Sequence, residues 1–369
     1  MAEAITRVAL VGCGGMGRHH LNVLRELPDF EIVGLCDVSA EAREKSGAEF
    51  GVTGLYTDPG EMCDAESPDL VTVATQTRHH HDPTVEALRR GVSVICEKPI
   101  ALDLREADHM VEAAAASGAK LSIHQQNHVH PGIRKARELV DEGAIGDVMV
   151  VRGRNKAGRK SGNEFMEMGT HITDMMMRFG GPPEWCSASV FYENRLATAE
   201  DVMQAQEMSP RDRDSGHVVG ARATARYGFS GGVLGEILFL DYAKTDNSNY
   251  GVDILGTDGQ LAVRTSGDLG QSLWHLPRPM EGHPSQLADW EQIDLTAMGL
   301  ENPVIHMYRG MAEAIADGSE PPCNGVTGRW GFEMVMAMYA SHVAGGGRVD
   351  LPLADRSHPL AQWAVTSGA

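Results

Sequence analysis

No apolar stretch in this chain approaches the roughly 20 residues that a helix needs to cross a bilayer, and no membrane-spanning helix is expected. The opening, Met1 to Gly12, sets an acidic residue before a short apolar run that ends in glycine, a pattern that fits a first β-strand and not a secretory signal. Cysteine is sparse. Cys13, Cys36, Cys63, Cys96, Cys186 and Cys323 are scattered without a C-x-x-C pair; they read as reduced thiols of a cytoplasmic protein, not as a disulfide framework. Positive charge is in deficit, since 32 Lys and Arg against 51 Asp and Glu leave a formal net charge of −19. Phosphate backbones and anionic lipid surfaces require concentrated positive charge, so neither nucleic acid nor membrane is expected as a partner. There is no internal repeat and no low-complexity tract.

At 369 residues the chain is too long for one ordinary domain, and two are expected. Residues 1–125 alternate short apolar runs with helical stretches. The strands expected there are Arg7–Val11, Glu31–Cys36, Leu70–Thr75, Val92–Cys96 and Lys120–His124. Asp82 before Pro83 predicts one helix start, with Gly91 as its stop. Asp103 with Glu106 predicts a capping box on a helix that ends at Gly118. Such alternation means a parallel sheet covered on both faces. Residues 126–369 are richer in β-runs: Val148–Arg152, Ala188–Tyr192, Ala221–Phe229, Gly232–Leu240 and Gly251–Leu255, with turns at Ser230-Gly231-Gly232 and Thr257-Asp258-Gly259. This predicts a mostly antiparallel sheet, a charged loop near Ala199–Gly216, and two closing helices near Val304–Ala316 and Trp330–Ala344.

Gly12-Cys13-Gly14-Gly15-Met16-Gly17 matches G-x-G-x-x-G. The pattern alone is weak in a chain with 42 glycines, but here it follows an apolar strand and opens a helix carrying Leu21, Val23, Leu24 and Leu27. The first glycine permits the turn, the second lets the backbone approach a pyrophosphate, and the third packs helix on strand. The helix N-terminus then offers its N–H groups to phosphate. Asp37 ends the second strand, where a carboxylate binds the ribose hydroxyls of NAD and repels a 2′-phosphate. NAD is therefore expected over NADP, with Arg43 as a moderating charge.

Glu97-Lys98-Pro99 follows the strand Val92–Cys96, so Lys98 reaches the carboxyl edge of the sheet, where ligands of doubly wound folds sit. Further on, Glu167 and His171 share a face at i,i+4 if helical, with Asp174 one turn beyond. A carboxylate beside an imidazole fixes its tautomer and raises its basicity, which suits a base that removes a hydroxyl proton. The basic run Arg152, Arg154, Lys156, Arg159 and Lys160 reads either as a solvated hairpin or oligomer contact or as a substrate-pocket lining that favours an anionic group. Sixteen histidines, among them His79-His80-His81, His124, His128 and His130, invite a metal reading. Adjacent histidines point apart and no zinc spacing is present, so no metal is expected.

Together these motifs resemble the Gfo/Idh/MocA family of oxidoreductases, and Thr75-Gln76-Thr77-Arg78-His79-His80, Leu139-Val140-Asp141-Glu142-Gly143-Ala144-Ile145-Gly146 and Val349-Asp350-Leu351-Pro352-Leu353 extend the likeness over nearly the whole chain. The resemblance implies an α/β fold with a Rossmann doubly wound parallel sheet and a C-terminal α/β domain. The latter holds a large, open, mostly antiparallel sheet used for homodimer or homotetramer assembly. It implies NAD-dependent hydride transfer from a hydroxyl carbon of a sugar, glycoside or polyol. Carried over by position, Lys98 polarises the reacting oxygen, His171 is the base and Glu167 orients the site. Gly12, Gly14, Gly15, Met16, Gly17, Asp37, Thr75, Gln76, His80, Glu97, Lys98 and Gln125 hold the cofactor. Lys98, His128, Arg154, Asn155, Lys156, Glu167, His171 and Asp174 meet the substrate. The chain departs from the family where Glu167 replaces the usual Asp, where Gln76 follows Thr75 in place of Pro, and in Gln126-Asn127-His128-Val129-His130-Pro131. Two alternatives stay open: redox-neutral glycoside cleavage by oxidation and elimination, and an NAD-sensing protein without turnover.

Overall fold

The computed structural model describes residues 5–155, 163–203, 216–241, 247–279 and 289–366. Lys156, Arg159 and Lys160 lie outside them. The chain forms two compact units, Met1–Gln126 with Glu301–Arg329, and Asn127–Leu300 with Trp330–Ala369. Among the described residues no helix is long and apolar enough to cross a membrane. All six cysteines are buried and none is bridged.

The first unit runs β1 (Thr6–Val11), α1 (Gly15–Arg25), β2 (Phe30–Cys36), α2 (Ala40–Phe50), β3 (Leu55–Tyr56), α3 (Pro59–Glu66), β4 (Leu70–Val73), α4 (His81–Arg89), β5 (Ser93–Cys96), α5 (Leu104–Ser117) and β6 (Leu121–Ile123). Its six described strands are parallel and ordered β3-β2-β1-β4-β5-β6. The order reverses between β1 and β4, which opens a crevice at the carboxyl ends of the strands. The five expected strands are present; β3, only two residues long, carries too little pattern to be read. Asp103 caps α5 by accepting from Glu106 N at 3.1 Å, but the Glu106 carboxylate returns to Leu102 N at 3.3 Å, one residue short of a reciprocal box. The expected cap at Asp82 is corrected: α4 starts at His81, with Asp82 inside its first turn, where the dipole still favours a carboxylate.

The second unit begins with α6 (Pro131–Asp141), β7 (Val148–Arg154), α7 (Asn163–Glu167) and α8 (Gly169–Gly180). Then come β8 (Pro183–Tyr192), β9 (Arg195–Leu196), β10 (Arg222–Phe229), β11 (Leu234–Phe239), β12 (Gly251–Gly256), β13 (Gln260–Arg264), β14 (Leu273–Leu276) and β15 (Glu291–Gln292). The described sheet has ten strands in the order β15-β14-β13-β12-β7-β11-β10-β8-β16, with β9 on β8 and β16 at Val349–Asp350. Every pairing is antiparallel except β7 with β11. Both expected turns close hairpins, β10–β11 and β12–β13. Helix α8 presses on β7 closely enough that a Cβ on Gly153 would collide with Ile172 and come within 2.9 Å of Met176 Sδ.

Helix α9 (Pro303–Asp317) returns to the first unit, which corrects the expected second domain of residues 126–369. Its Val304, Tyr308 and Met311 complete one core cluster with Val8, Leu24, Phe30, Leu70 and Ile95. An amphipathic stripe announces a helix but not the sheet it covers. Helix α10 (Gly325–Val343) crosses the boundary along the chain, and α11 (Pro359–Thr366) ends the described residues.

His130 Nδ1 accepts from Gly132 N at 3.2 Å and caps α6. Burial pushes this imidazole down to about 4, against roughly 6.5 in an unfolded chain. Between those values the unfolded state binds more protons, so stability falls as pH drops through that window. Urea midpoints should register a loss of about 2 kcal/mol between about pH 7 and 5 from this residue. His130→Asn keeps a neutral cap and should flatten the dependence, leaving the slope from His20 and His80, which burial also lowers. Parallel wild-type and variant curves would contradict this assignment.

Candidate active site

The glycine-rich turn after β1 has the geometry the cofactor requires. Gly12 stands at φ 100°, and a Cβ there would come within 2.8 Å of the Ala74–Thr75 backbone. A Cβ on Gly17 would collide with Gly12 O, whereas at Gly14 or Gly15 it would meet nothing within 4 Å. The exposed Gly14–Met16 segment opens α1 with no side-chain cap and no acid in its first turn. Its N–H groups and positive dipole end thus face outward, a cradle that fits a pyrophosphate.

Beside it lies a cleft of about 490 Å³ whose lining includes Gly12, Asp37, Thr75 and His79. Asp37 carries two loads. Its Oδ2 accepts from Cys13 N, inside the glycine turn, at 2.7 Å, and its Oδ1 accepts from Ser39 N at 2.8 Å. Arg43 donates to the Asp37 carbonyl at 2.6 Å. The described lining also contains Asp58, Asp82 and Glu86 and no Lys or Arg, an environment that suits ribose hydroxyls and opposes a phosphate dianion. Thr75 Oγ1 donates to His79 O at 3.0 Å, and Gln76, exposed, receives Arg78 at 2.8 Å. His80 is buried, its ring nitrogens at 2.8 Å from Pro99 O and 3.2 Å from Thr75 O, so it braces the two loops that follow β4 and β5.

At the end of β5, Glu97 is buried and ionised. Its Oε1 accepts from His20 Nε2 at 3.0 Å and His124 Nδ1 at 2.9 Å, and its Oε2 accepts from Lys98 N at 3.1 Å. Burial alone would raise this carboxyl; the two imidazoles outweigh it and hold Glu97 well below the usual carboxylate range. His20 Nδ1 lies 2.9 Å from Tyr308 Oη, itself 3.0 Å from Thr72 Oγ1. The ligand atoms of His20, Glu97 and His124 fall within 4.8 Å of one another, and the separations from Glu97 are those of hydrogen bonds. Gln125, next along the chain, is buried, and its Oε1 meets no partner among the described residues.

The second unit supplies its own polar cluster. Helices α7 and α8 are separated by Met168 alone, and the bonds Met168 N to Glu164 O (2.9 Å) and Ile172 N to Met168 O (3.1 Å) span the gap. Glu167 and His171 therefore keep nearly their helical spacing, with His171 and Asp174 buried and Glu167 half-buried. The structure brings Asp174 to His128, whose Nδ1 lies 3.0 and 3.2 Å from the two carboxylate oxygens. Asn127 donates to Tyr250 Oη at 3.0 Å. Burial, then the Glu164 charge, holds the Tyr250 phenol well above its ordinary range. Asn155 is buried and donates to Leu240 O at 3.4 Å. Arg154 is not brought to this cluster. Strand alternation puts it on the face opposite Gly153 and α8, where it pairs with Asp253 at 2.5 Å, while Arg152 pairs with Glu236 at 3.1 Å.

Sequence reasoning did not assign roles to His20, Tyr308, Asn127, Tyr250 or Glu164. His20 had a local signal, three residues past the glycine motif; Tyr308 had none, because it lies 288 residues from its partner.

Residues 6–125 match a family described as oxidoreductases with an NAD-binding Rossmann fold, GFO_IDH_MocA. The first unit thus matches an NAD-binding Rossmann domain. In these residues the chain is similar to the Gfo/Idh/MocA family. Among similar proteins, D-apiose dehydrogenase of Paraburkholderia graminis is 32% identical over 205 residues, 53% of this chain and 55% of that protein. D-glucoside 3-dehydrogenase of Escherichia coli is 26% identical over 225 residues, 57% of this chain and 64% of that protein. The chain therefore matches little more than half to under two thirds of these relatives' lengths. In fold it is similar to aldose-aldose oxidoreductase of Caulobacter crescentus, crystallised with glycerol, at TM-score 0.76 and 20% identity over 94% of this chain and 100% of that one.

Isothermal titration should show NAD binding at least about tenfold tighter than NADP, a difference of roughly 1.4 kcal/mol from charge repulsion. Asp37→Asn removes the charge yet keeps an acceptor for the turn, and should narrow that ratio. A ratio unchanged in the variant would remove Asp37 from cofactor choice.

Proposed function

We propose that this protein is an NAD-dependent dehydrogenase that oxidises a CH–OH carbon of a sugar, glycoside or polyol. The observation that carries the reading is the delivery of Lys98 to the carboxyl edge of an NAD-binding sheet, held there by a buried carboxylate. The two sugar and glucoside dehydrogenases among its relatives support the substrate class. NAD, when bound, supplies the hydride acceptor. Gly12, Gly14, Gly15, Met16 and Gly17 cradle its phosphates, Asp37 its ribose, and Thr75, Gln76, His80, Glu97 and Gln125 shape the rest of the cleft.

Loss of hydride from a secondary alcohol yields a carbonyl only if the hydroxyl proton also departs. His171 takes that proton, and the Lys98 ammonium stabilises the alkoxide as it develops. Glu167 orients the imidazole, and the His128–Asp174 pair and Asn155 bind substrate hydroxyls. Arg154 has no part in this reading, because its guanidinium is held by Asp253.

A panel of aldoses, glycosides and polyols, followed by NADH absorbance and by product mass, tests the reading. NADH accumulation with an oxidised product is expected. Aglycone release without NADH would indicate redox-neutral cleavage, and binding without turnover a sensor. Lys98→Ala and His171→Ala should each lower kcat by about two to four orders of magnitude; wild-type turnover in either variant would remove that residue from the chemistry.

Assembly into a homodimer or homotetramer through the second sheet belongs to the same proposal. The face opposite α8 carries Leu234 and Leu238, each half-exposed at 50% and 51%. Leu238→Glu should lower the mass measured by sedimentation, and an unchanged mass would exclude this face.

A further inference from the structure

Glu97 is held from three directions by elements far apart in the sequence. His20 reaches it from α1, His124 from the end of β6, and Lys98 through its own peptide N–H. Because an ionised carboxylate only accepts, each imidazole nitrogen facing it must carry a hydrogen. His20 Nδ1 is then bare and accepts from Tyr308 Oη, whose oxygen in turn receives the Thr72 hydroxyl at 3.0 Å. Every proton in the chain Thr72–Tyr308–His20–Glu97 thus has one direction. His124 ends the chain with Nδ1 donating; its Nε2 is buried and meets no partner among the described residues. The ring's established contact is therefore with Glu97, reinforced by its edge-to-face packing on His20 at 4.6 Å between centroids.

We propose that His124 and His20 are positioning residues that clamp the Glu97 carboxylate so that it fixes the Lys98 peptide N–H, and through it the direction in which the Lys98 side chain leaves the sheet edge. The catalytic half of this inference rests on the reading of Lys98 given above; the clamp itself does not. Among the described residues Glu97 Oε2 is the one side-chain acceptor for Lys98 N, and Oε1 is occupied by both imidazoles. A carboxylate free to rotate would share its oxygens among the three donors. With two imidazoles pinned on one oxygen, the other stays turned to the backbone. His124 Nε2, which meets no partner among the described residues, plays no part in this, so an amide that imitates only Nδ1–H should suffice.

The test is amide hydrogen exchange at Lys98 in the full chain, resolved to single residues by mass spectrometry and requiring no substrate. Exchange at that amide should quicken about tenfold or more in His124→Ala. His124→Asn places an N–H where Nδ1 stood and should restore protection to within about threefold, whereas His124→Gln, which reaches toward the Nε2 position, should not. Equal protection in His124→Ala and wild type overturns the clamp. So does an Asn variant that behaves like Ala, since packing or Nε2 would then be what matters. If His124→Ala fails to fold, Tyr308→Phe keeps the ring and removes the donor to His20, and should quicken the same exchange; no change there overturns the proposal.

Activity supplies the second arm, with whichever panel sugar is turned over. His124→Ala should lower kcat about 10- to 100-fold in the wild-type background and less than about threefold in Lys98→Ala, because the two act through one group. Independent, multiplying losses would show that His124 does not work through Lys98. Wild-type turnover in Lys98→Ala, beside intact exchange results, would sink the role of Lys98 and leave the clamp standing.

Discussion

Burying a carboxylate inside a parallel sheet is costly unless donors meet it, and an uncompensated buried charge costs about 3–5 kcal/mol. Glu97 is such a carboxylate, 4% exposed, with a hydrogen bond from each of two imidazoles and one from its own chain. Those donors come from α1, the end of β6 and the end of β5, so the charge is tolerated only once these elements have docked. Tyr308 extends the requirement to α9. The loop bearing Lys98 is consequently placed by the assembled domain, not by its local sequence.

The glycine turn obeys a related constraint. Gly12 and Gly17 are needed because a side chain at either would strike backbone, whereas Gly14 and Gly15 face open space. Asp37 joins turn and cleft: it takes the Cys13 amide from the turn and lines the cleft beside it. One carboxylate thus ties the end of β2 to the turn after β1, so the shape of the turn and the negative charge of the cleft are set together.

In the second unit the close approach of α8 to β7 plays the corresponding part. Gly153 admits Ile172 and Met176 against the strand, and Thr173 Oγ1 donates to Gly331 O at 2.7 Å. This seats His171 and Asp174 among buried groups. It also explains where Arg152 and Arg154 point. With Gly153 turned to the helix, Arg152 and Arg154 must point the other way, toward Glu236 and Asp253.

The sequence by itself determined the elements whose cause is local. The alternation of strands and helices, the glycine turn, Asp37 twenty residues beyond it and the Asp103 cap are each written within a few turns of chain, where period and sterics decide the outcome. It also delivered Glu97-Lys98-Pro99 to the correct edge of the sheet, because a parallel strand's carboxyl end follows from its direction. Only the tertiary structure decided the rest. The return of residues 301–329 to the first unit, the partnership of Asp174 with His128, the removal of Arg154 to the far face and the enclosure of Glu97 by His20, His124 and Tyr308 all depend on pairings between residues from 27 to 288 positions apart. No local pattern encodes such pairings. They arise because buried polar groups take whichever partner the packed backbone brings within hydrogen-bonding distance.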